Sequence, residues 1–350
     1  MQIKIIKFSE IDNAFIKKWK LISGTYFSPF LSMEWQIPLF GSKKNNYKII
    51  TGFCDKELVF LSPLKYTALG LMVKTGGYIS SEQQRVAIVN SNFETEEITD
   101  LLAEKLTCLF NRPIIACDFI KEEDIPALSL IKKLKLKGWS TLEFDGKKSP
   151  YLYLENDFET YLKTVKRSVV KEYLRRKKKL EKDYPVEVKL VTEKNELIKH
   201  LPEIIRVEHS SWRQDDGIFS SGNLDIIIRQ LKTLAASNML RLFLLITDGK
   251  LIAYDIEFLH GKNLWTYNRA FDPGFKKYGP GINLQMEAVK YAFENRLKSV
   301  EFLGNNRPYK QPWSNGIHSR SMVFLFPPGI KGIIGRIIIR TGKKIKNRFK

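Results

Sequence analysis

The chain has 350 residues, of which 43% are hydrophobic, 12% aromatic and 27% charged, and its formal net charge is +20. This composition supplies enough apolar side chains for packed cores and excludes a chain that is disordered throughout. No apolar run approaches the ~18 residues of a membrane-spanning helix, and the first residues lack a signal-peptide pattern, so we expect a cytoplasmic protein. Two domains are expected, since a single core seldom grows beyond ~250 residues.

The first half of the chain alternates helical and strand-like patterns. Two helical patterns lie within the first 40 residues, and two β-rich runs then flank a polar turn at Asp55-Lys56, which predicts a hairpin. A further helical pattern over 96–110 ends at Asn111-Arg112-Pro113. The apolar run IIACDFI that follows predicts a buried strand.

The three cysteines, Cys54, Cys108 and Cys117, are an odd number whose spacing fits neither a disulfide framework nor a zinc site. Each lies in an apolar stretch, so we expect buried, reduced thiols. The scattered histidines have no metal-ligand spacing, and no metal is expected.

The turn-rich segment 138–150 is the expected boundary between an N-terminal half, 1–148, and a C-terminal half, 149–328. Beyond it, 163–182 contains ten Lys or Arg and only two Glu. This segment is predicted to be a helix that ends at Tyr184-Pro185, because apolar residues recur along one face. The stripe comprises Tyr161, Val165, Val169, Tyr173 and Leu180. The basic face is either solvated beside acidic neighbours or binds RNA backbone, which needs only clustered Lys and Arg.

The second half repeats the order of the first. A hairpin is predicted around Asp248-Gly249, a pair suited to positive φ, followed by a helix over 282–295 and a strand at KSVEFLG. CLFNRPIIACDF and YAFENRLKSVEF share a helix end, an Asn-Arg break and an acid-Phe pair. The repetition predicts an internal duplication and an α/β fold of two mixed sheets flanked by helices.

The tail, 329–350, contains eight Lys or Arg and no acidic residue. Several apolar residues recur near one helical face, the pattern of a helix that lies in an anionic membrane interface. These residues are Ile330, Ile334, Ile338, Ile345 and Phe349. Peripheral membrane contact and docking of the tail on its own domain are both left open.

Two stretches of the second half carry candidate chemistry. Tyr278-Gly279-Pro280-Gly281 precedes the predicted helix, where glycines allow close approach of a ligand and free N–H groups favour an anion such as a pyrophosphate. Lys276 and Lys277 add positive charge, although no GxxxxGK[ST] motif is present. Further on, Tyr309 is able to deliver a proton and Lys310 to bind an anionic group, unless this is an ordinary surface loop.

Taken in order, these pieces resemble the acetyltransferase-like family named after the cellulose-associated protein CelD. That family is a branch of the GNAT superfamily related to the Fem-type peptidoglycan aminoacyl transferases. The resemblance covers most of the chain and is densest from 151 to 327. Its pieces are SPFLSMEW at 28–35, the basic helix at 167–185, Glu208-His209 with Trp212, the hairpin DGKLIAYDIEF, Tyr267 with Phe271-Asp272, Gly279-Pro280-Gly281, and EFLG with Tyr309-Lys310 and Trp313.

The resemblance implies a GNAT-type fold, often doubled, and transfer of an acyl group from acyl-CoA, such as acetyl-CoA, to an amine. GNAT proteins usually have Arg/Gln-x-x-Gly-x-Gly/Ala at the CoA pyrophosphate. Here the glycines match, the first position is Lys276, and Pro280 removes one N–H donor. The expected acceptor is a sugar, lipid or cell-envelope or polysaccharide precursor. Aminoacyl transfer from tRNA, as in Fem-type relatives, and a non-catalytic binding module are the alternatives.

Amine attack on a thioester needs a base. Glu301 ranks first among the acidic candidates, ahead of Asp255, Glu257 and Glu208, and His209 is considered because histidine titrates near neutral pH. Asp255 and Glu257 share a strand face, which lies either at the cleft or in solvent.

The candidate residues are assigned by role. The catalytic candidates are Glu301, Tyr309, Lys310, Tyr267 and His209. The acyl-CoA contacts are Lys276, Lys277, Gly279, Gly281 and Ile282. The acceptor contacts are Trp212, Asp255, Glu257, Asp272 and Trp313.

Overall fold

The computed structural model describes the chain except for 25–27, 41–45, 68–69, 76–84, 110–111, 121–122, 214–216, 220–221, 223, 305 and 349–350, and it describes no side chains at 8, 46 or 343–348. The chain forms two compact units. Unit 1 comprises 1–148 and 318–350, and unit 2 comprises 149–317.

The elements up to residue 153 belong to unit 1, apart from the end of the last strand, which continues into unit 2. The strands are β1 (Gln2–Ile6), β2 (Asn46–Cys54), β3 (Glu57–Tyr66), β4 (Met72–Thr75), β5 (Ile88–Val89), β6 (Ile114–Ile120) and β7 (Ser140–Tyr153). The helices are α1 (Asn13–Gly24), α2 (Met33–Phe40), α3 (Thr95–Thr107) and α4 (Ile125–Leu136).

Unit 2 contains five helices and five strands in its described part, and the chain then returns to unit 1. The helices are α5 (Phe158–Thr164), α6 (Arg167–Asp183), α7 (Lys194–Ser210), α8 (Leu224–Ala236) and α9 (Pro280–Glu294). The strands are β8 (Val186–Val191), β9 (Leu240–Thr247), β10 (Lys250–His260), β11 (Asn263–Phe271) and β12 (Ser299–Glu301). The return to unit 1 is made by β13 (Gly316–Phe326) and α10 (Ile330–Arg348).

The two units order their strands in the same way. Unit 1 has β1-β2-β3-β4-β6-β13, with β5 beside β3, and unit 2 has β8-β9-β10-β11-β12-β7. A parallel pair joined through a helix occurs at the same place in each, β4–β6 through α3 and β11–β12 through α9. The arginines after these helices, Arg112 and Arg296, both have positive φ, 37° and 51°. The expected α/β fold with mixed strand pairing and flanking helices is therefore confirmed, and the shared order supports the duplication.

Helix α9 is held on the sheet of unit 2 by an apolar face. Leu284, Ala288 and Ala292 recur at helical spacing and are fully buried in the core of this unit. Tyr173 and Leu180 of α6 enter the same core. This packing fixes the first turn of α9 and the nearby side chains of α6 relative to β11.

Several expectations differ from the structure. The segment 138–150 is no loop, because β7 runs through it, and Gly146 permits the close approach of Arg320: a Cβ there would lie 2.7 Å from the Arg320 carbonyl oxygen. The predicted basic helix is interrupted at Val165, which is extended with ψ 142°. Unit 2 ends at Ile317 rather than at 328, because β13 pairs with β6.

The cysteines are free, but they are not all buried. Cys117 is buried and Cys54 partly so, whereas Cys108 is exposed. The prediction of three buried thiols is wrong for Cys108, because this residue caps the end of α3 instead of facing the core.

No helix in the described part of the chain is long and apolar enough to cross a membrane. In the same part of the chain, no group of three His, Cys, Asp or Glu side chains is arranged to hold a metal ion.

Candidate active site

Strands β11 and β12 pair over a short distance and then separate. The register joins Asn263–Trp265 to Ser299–Glu301, while β11 runs on to Phe271. After Glu301 the chain turns away through Leu303 and Gly304, which have φ of 48° and 65°. The strand predicted for KSVEFLG therefore ends at Glu301. α/β sheets bind ligands at the carboxyl ends of their parallel strands, so the gap between β11 and β12 beyond Trp265 is the candidate cleft.

A bulge in β11 changes which side chains face this cleft. Ile256 pairs with Asn268 but Glu257 pairs with Thr266, so Tyr267 is the extra residue. Bulges re-aim side chains and are common beside active sites. Beyond the bulge, Arg269 pairs with Asp255 on β10.

Four polar side chains meet on the α9 side of the sheet. The Arg269 guanidinium donates to Asp255 Oδ2 over 2.8 Å from Nε and also from Nη2. Its Nη1 donates to Gln285 Oε1 of α9 over 2.8 Å, and Nη2 lies 3.9 Å from Glu257 Oε1. Asp255 and Glu257 are fully buried, whereas the Arg269 side chain is 14% exposed. The two acids share a face as predicted, but the alternative of a solvated face is wrong.

The charges of this cluster fix its protonation. Burial raises the pKa of Glu257 well above its usual range, and the neighbouring Asp255 carboxylate raises it further. Burial also raises the pKa of Asp255, but Arg269 opposes that shift. One guanidinium compensates one carboxylate, so Glu257 is the acid of the pair that holds a proton. The cluster is then neutral, with Asp255 as its ionised acid.

The first turn of α9 lies directly beside the cluster. Gly279 is left-handed, with φ 62°, and its carbonyl accepts from Ile282 and Asn283 N–H, both over 3.1 Å. Pro280 has no N–H. Gly281 N–H has no backbone acceptor among the described residues. A Cβ on Gly281 would lie 3.5 Å from Arg269 Cδ. A backbone donor, a helix N-terminus and the Arg269 stem meet at one point.

Cations from two elements surround this turn. The Arg176 side chain of α6 lies against the turn, and a Cβ on Gly279 would be 2.9 Å from Arg176 Cδ. Lys276 and Lys277 are exposed beside it, and the Lys277 ammonium lies 4.8 Å from the centre of the Tyr278 ring. Two acidic groups oppose these three cations: Glu172 accepts from Arg176 Nε over 2.6 Å, and Asp183 accepts from Tyr278 Oη over 2.8 Å. The turn is net positive and suits an anion.

Lys310 and Tyr309 lie at the other side of the cleft. The Lys310 ammonium donates to the carbonyls of Phe302 and Leu303 over 2.8 and 2.7 Å, so it holds the turn that separates the strands. Lys310 is close enough to Asp255 to lower the pKa of that carboxyl, although burial dominates and raises it. Tyr309 is 56% exposed, with its ring 5.8 Å from the ammonium.

Glu208 lies on the opposite face of the same strands. Its Oε2 accepts from Tyr254 Oη and from Asn268 Nδ2, both over 2.6 Å, and its Oε1 accepts from Phe219 N–H over 2.7 Å. Gly217 is required there, since a Cβ would come 2.3 Å from Glu208 Oε1. Oε1 therefore holds the chain that follows α7 and Oε2 bonds two strand side chains, so both carboxylate oxygens are engaged.

The other predicted residues are dispersed. Glu301 is 1% exposed and accepts from Ser299 Oγ over 2.7 Å. His209 and Trp212 are exposed near the end of α7, and the Arg213 guanidinium lies over the Trp212 ring at 4.5 Å.

Three more of these residues have structural contacts. Asp272 caps a short turn by accepting from Gly274 N–H over 3.0 Å, and Trp313 is 3% exposed in the core. The Tyr267 ring lies 4.9 Å from that of Phe258. Ile282, in the first turn of α9, is half-buried.

The structure thus brings some of the predicted residues together and places unpredicted residues beside them. Asp255 and Glu257 lie beside Arg269, whose Cδ approaches Gly281, and Lys310 is close enough to Asp255 to affect its pKa. Sequence reasoning missed Arg269, Gln285 and Arg176. A signal for Arg269 existed, since it is the charged residue in the otherwise uncharged strand NLWTYNRAF.

Comparisons with known proteins agree with this arrangement. Residues 167–311, all within unit 2, match the family model of the acetyltransferase (GNAT) domain. No curated protein matches the sequence.

Among solved structures, FemX is similar over 97% of this chain and 100% of its own, with TM-score 0.62 and 13% identity. L-PGS from Bacillus licheniformis is similar over 94% and 96%, with TM-score 0.57 and 8% identity. The tandem GNAT protein from the clavulanic acid biosynthesis pathway is similar over 94% and 99%, with TM-score 0.53 and 11% identity.

At identities this low, similarity to these solved structures establishes the fold alone, which is a tandem GNAT fold. The domain match places a GNAT acetyltransferase domain in unit 2, so the protein is an acyltransferase.

Proposed function

We propose that the protein is a cytoplasmic N-acyltransferase that transfers an acyl group from acyl-CoA to an amine of a sugar, lipid or other cell-envelope or polysaccharide precursor. A place in the CelD-type family is part of the proposal. The observation that carries it is the separation of β11 from β12 beside the N-terminus of α9, where cations and the Asp255–Arg269 pair meet. The GNAT domain match over 167–311 supports acyl transfer.

The donor fits the cleft by its chemistry. Beyond Trp265, β11 is not paired with β12, so its backbone is able to bond an extended, amide-bearing arm such as that of CoA. The pyrophosphate then meets Gly281 N–H and the positive end of α9. Because Pro280 supplies no donor, Lys276, Lys277 and Arg176 carry a larger share of the binding.

The reaction requires two proton transfers. The amine nitrogen attacks the thioester carbonyl carbon, and the carbon–sulfur bond breaks. Asp255, the ionised acid of the cluster, accepts the amine proton, while Tyr309 at the exposed side of the cleft donates to the leaving thiolate. Glu301 is the second candidate base, because it is a buried carboxylate at the point where the strands separate. Glu257 is unsuitable, since it already carries a proton.

Isothermal titration with acetyl-CoA and CoA tests donor binding. We expect the wild type to bind both, and a Lys276→Ala/Lys277→Ala variant to bind at least ~10-fold more weakly because two phosphate-facing charges are lost. Lys290→Ala is the matched control, since Lys290 is exposed towards the other end of α9. Absence of binding at millimolar acetyl-CoA would exclude acyl-CoA as the donor.

A second donor class is supported by α6. Arg175, Lys178, Lys179 and Lys182 are exposed on this helix, whose Arg176 crosses the proposed anion site. That is more positive charge than one pyrophosphate needs, and it would suit the backbone of aminoacyl-tRNA. Retention of charged tRNA that is lost in high salt, without acetyl-CoA binding, would favour this donor. If neither donor binds, a non-catalytic GNAT-like module is the remaining interpretation.

A further inference from the structure

Helix α10 packs on unit 1 through glycines. Gly332 and Gly335 are buried, and a Cβ on Gly335 would lie 2.4 Å from Ile114 Cδ1 of β6. A Cβ on Gly332 would lie 1.9 Å from the Pro327 carbonyl oxygen. A Cβ at Gly332 would overlap the backbone and one at Gly335 would displace the Ile114 side chain, so these glycines define the face of α10 that packs on the rest of unit 1.

The isoleucines of α10 point the other way. At about 100° per residue, five of them fall within an arc of about 140°, opposite the two glycines. Their exposed fractions are 76% for Ile330, 61% for Ile333, 52% for Ile334, 59% for Ile337 and 64% for Ile338. The sequence predicts part of this stripe, and the structure adds Ile333 and Ile337. A contiguous apolar surface of this kind marks a site of interaction.

Charge indicates what covers this surface. Arg336 and Arg340 are exposed along one edge of the isoleucine face, and Lys331 lies along the other by helical position. Residues 329–350 contain eight Lys or Arg and no Asp or Glu. Two such tails would repel each other face to face, whereas an anionic bilayer offers acyl chains to the isoleucines and phosphates to the flanking cations.

We propose that α10 is a membrane-surface helix that binds anionic lipid bilayers, with its isoleucine face in the acyl boundary and its Arg and Lys residues at the phosphates. The helix lies in the interface and does not cross it. This inference is independent of the acyl donor and acceptor, so failure of either idea leaves the other testable.

Co-sedimentation of the full chain with vesicles tests the proposal. We expect binding to vesicles of phosphatidylcholine with ~30% phosphatidylglycerol, and weak binding to phosphatidylcholine alone. Ile334→Asp/Ile337→Asp should lower the fraction bound to anionic vesicles by at least ~10-fold, because both substitutions place charge in the acyl boundary. Both positions are exposed, so the fold should survive.

Leu21→Asp/Leu136→Asp is the matched control, since these leucines are 76% and 77% exposed on α1 and α4. It should bind like the wild type. Equal binding of the Ile334→Asp/Ile337→Asp variant, or equal binding of the wild type to neutral vesicles, would overturn the proposal. So would a lipid-free dimer in sedimentation velocity that the isoleucine substitutions abolish, because the face would then bind a second copy.

Discussion

Replacement of Glu257 by Gln tests whether the buried cluster holds a proton. Glu257 accepts from Thr266 Oγ1 over 3.1 Å. Gln keeps this acceptor without a titrating group. Because burial and Asp255 raise the pKa of Glu257 in the folded state, the folded wild type binds a proton that the unfolded chain has lost above pH ~4.3.

The sign and size of the effect follow from proton linkage. Where the folded state binds the extra proton, the unfolding free energy of the wild type falls as pH rises, by ~1.4 kcal/mol per pH unit. This fall extends from pH ~4.3 to the raised folded pKa and is absent in Glu257→Gln. The unfolding free energy of the variant should therefore rise relative to that of the wild type at each step from pH 5 upwards.

Calorimetric melting at pH 5, 6, 7 and 8 provides the measurement. The difference in Tm between Glu257→Gln and the wild type should increase with pH, whereas Glu155→Gln, at an exposed residue, should show no such increase. A constant difference across these pH values would refute the protonation assigned to the cluster.

Three further predictions concern the site and its support. Arg269→Met should lower the unfolding free energy at pH 7 by about 3–5 kcal/mol in urea titrations, because it leaves a buried carboxylate uncompensated; a loss below ~1 kcal/mol would contradict the pairing. Gly279→Ala should cost about 1–2 kcal/mol for its left-handed backbone, whereas Gly281→Ala should leave Tm nearly unchanged. Gly217→Ala should cost about 1–3 kcal/mol through its contact with a buried carboxylate, and Gly222→Ala, with nothing within 4 Å, should not.

Local patterns predicted much of the fold. Helical spacing located α2 and α9 to within a few residues, and the Asp248-Gly249 turn has the predicted positive φ at both residues, 48° and 71°. These features depend on neighbouring residues and on backbone geometry. The strand β7 was missed because its pairing depends on distant residues, which override the turn-forming composition of 138–150.

The candidate site was predictable only in part. The two-residue spacing of Asp255 and Glu257 places them on one face of a strand, but their burial depends on Gln285 from a later helix and on Arg269 from the next strand. A bulge at Tyr267 sets the position of that arginine. Neither the bulge nor the helix contact leaves a periodic signal in the sequence.

The shared strand order does not give the two units the same polar pairs. Asp255 and Arg269 are register partners across β10 and β11, the third and fourth strands of their sheet. In unit 1, the third and fourth strands bring Lys65 and Lys74 opposite each other. Burial, and then the charge of Lys74, lowers the pKa of Lys65 to about 8. An opposite-charge pair holds an ionised carboxylate, whereas two like charges repel each other. The two pairs are not at equivalent positions, because Lys74 lies where β4 pairs with β6, whereas Arg269 lies beyond the last residue of β11 that pairs with β12. The shared strand order therefore leaves the polar side chains of each unit to its own sequence.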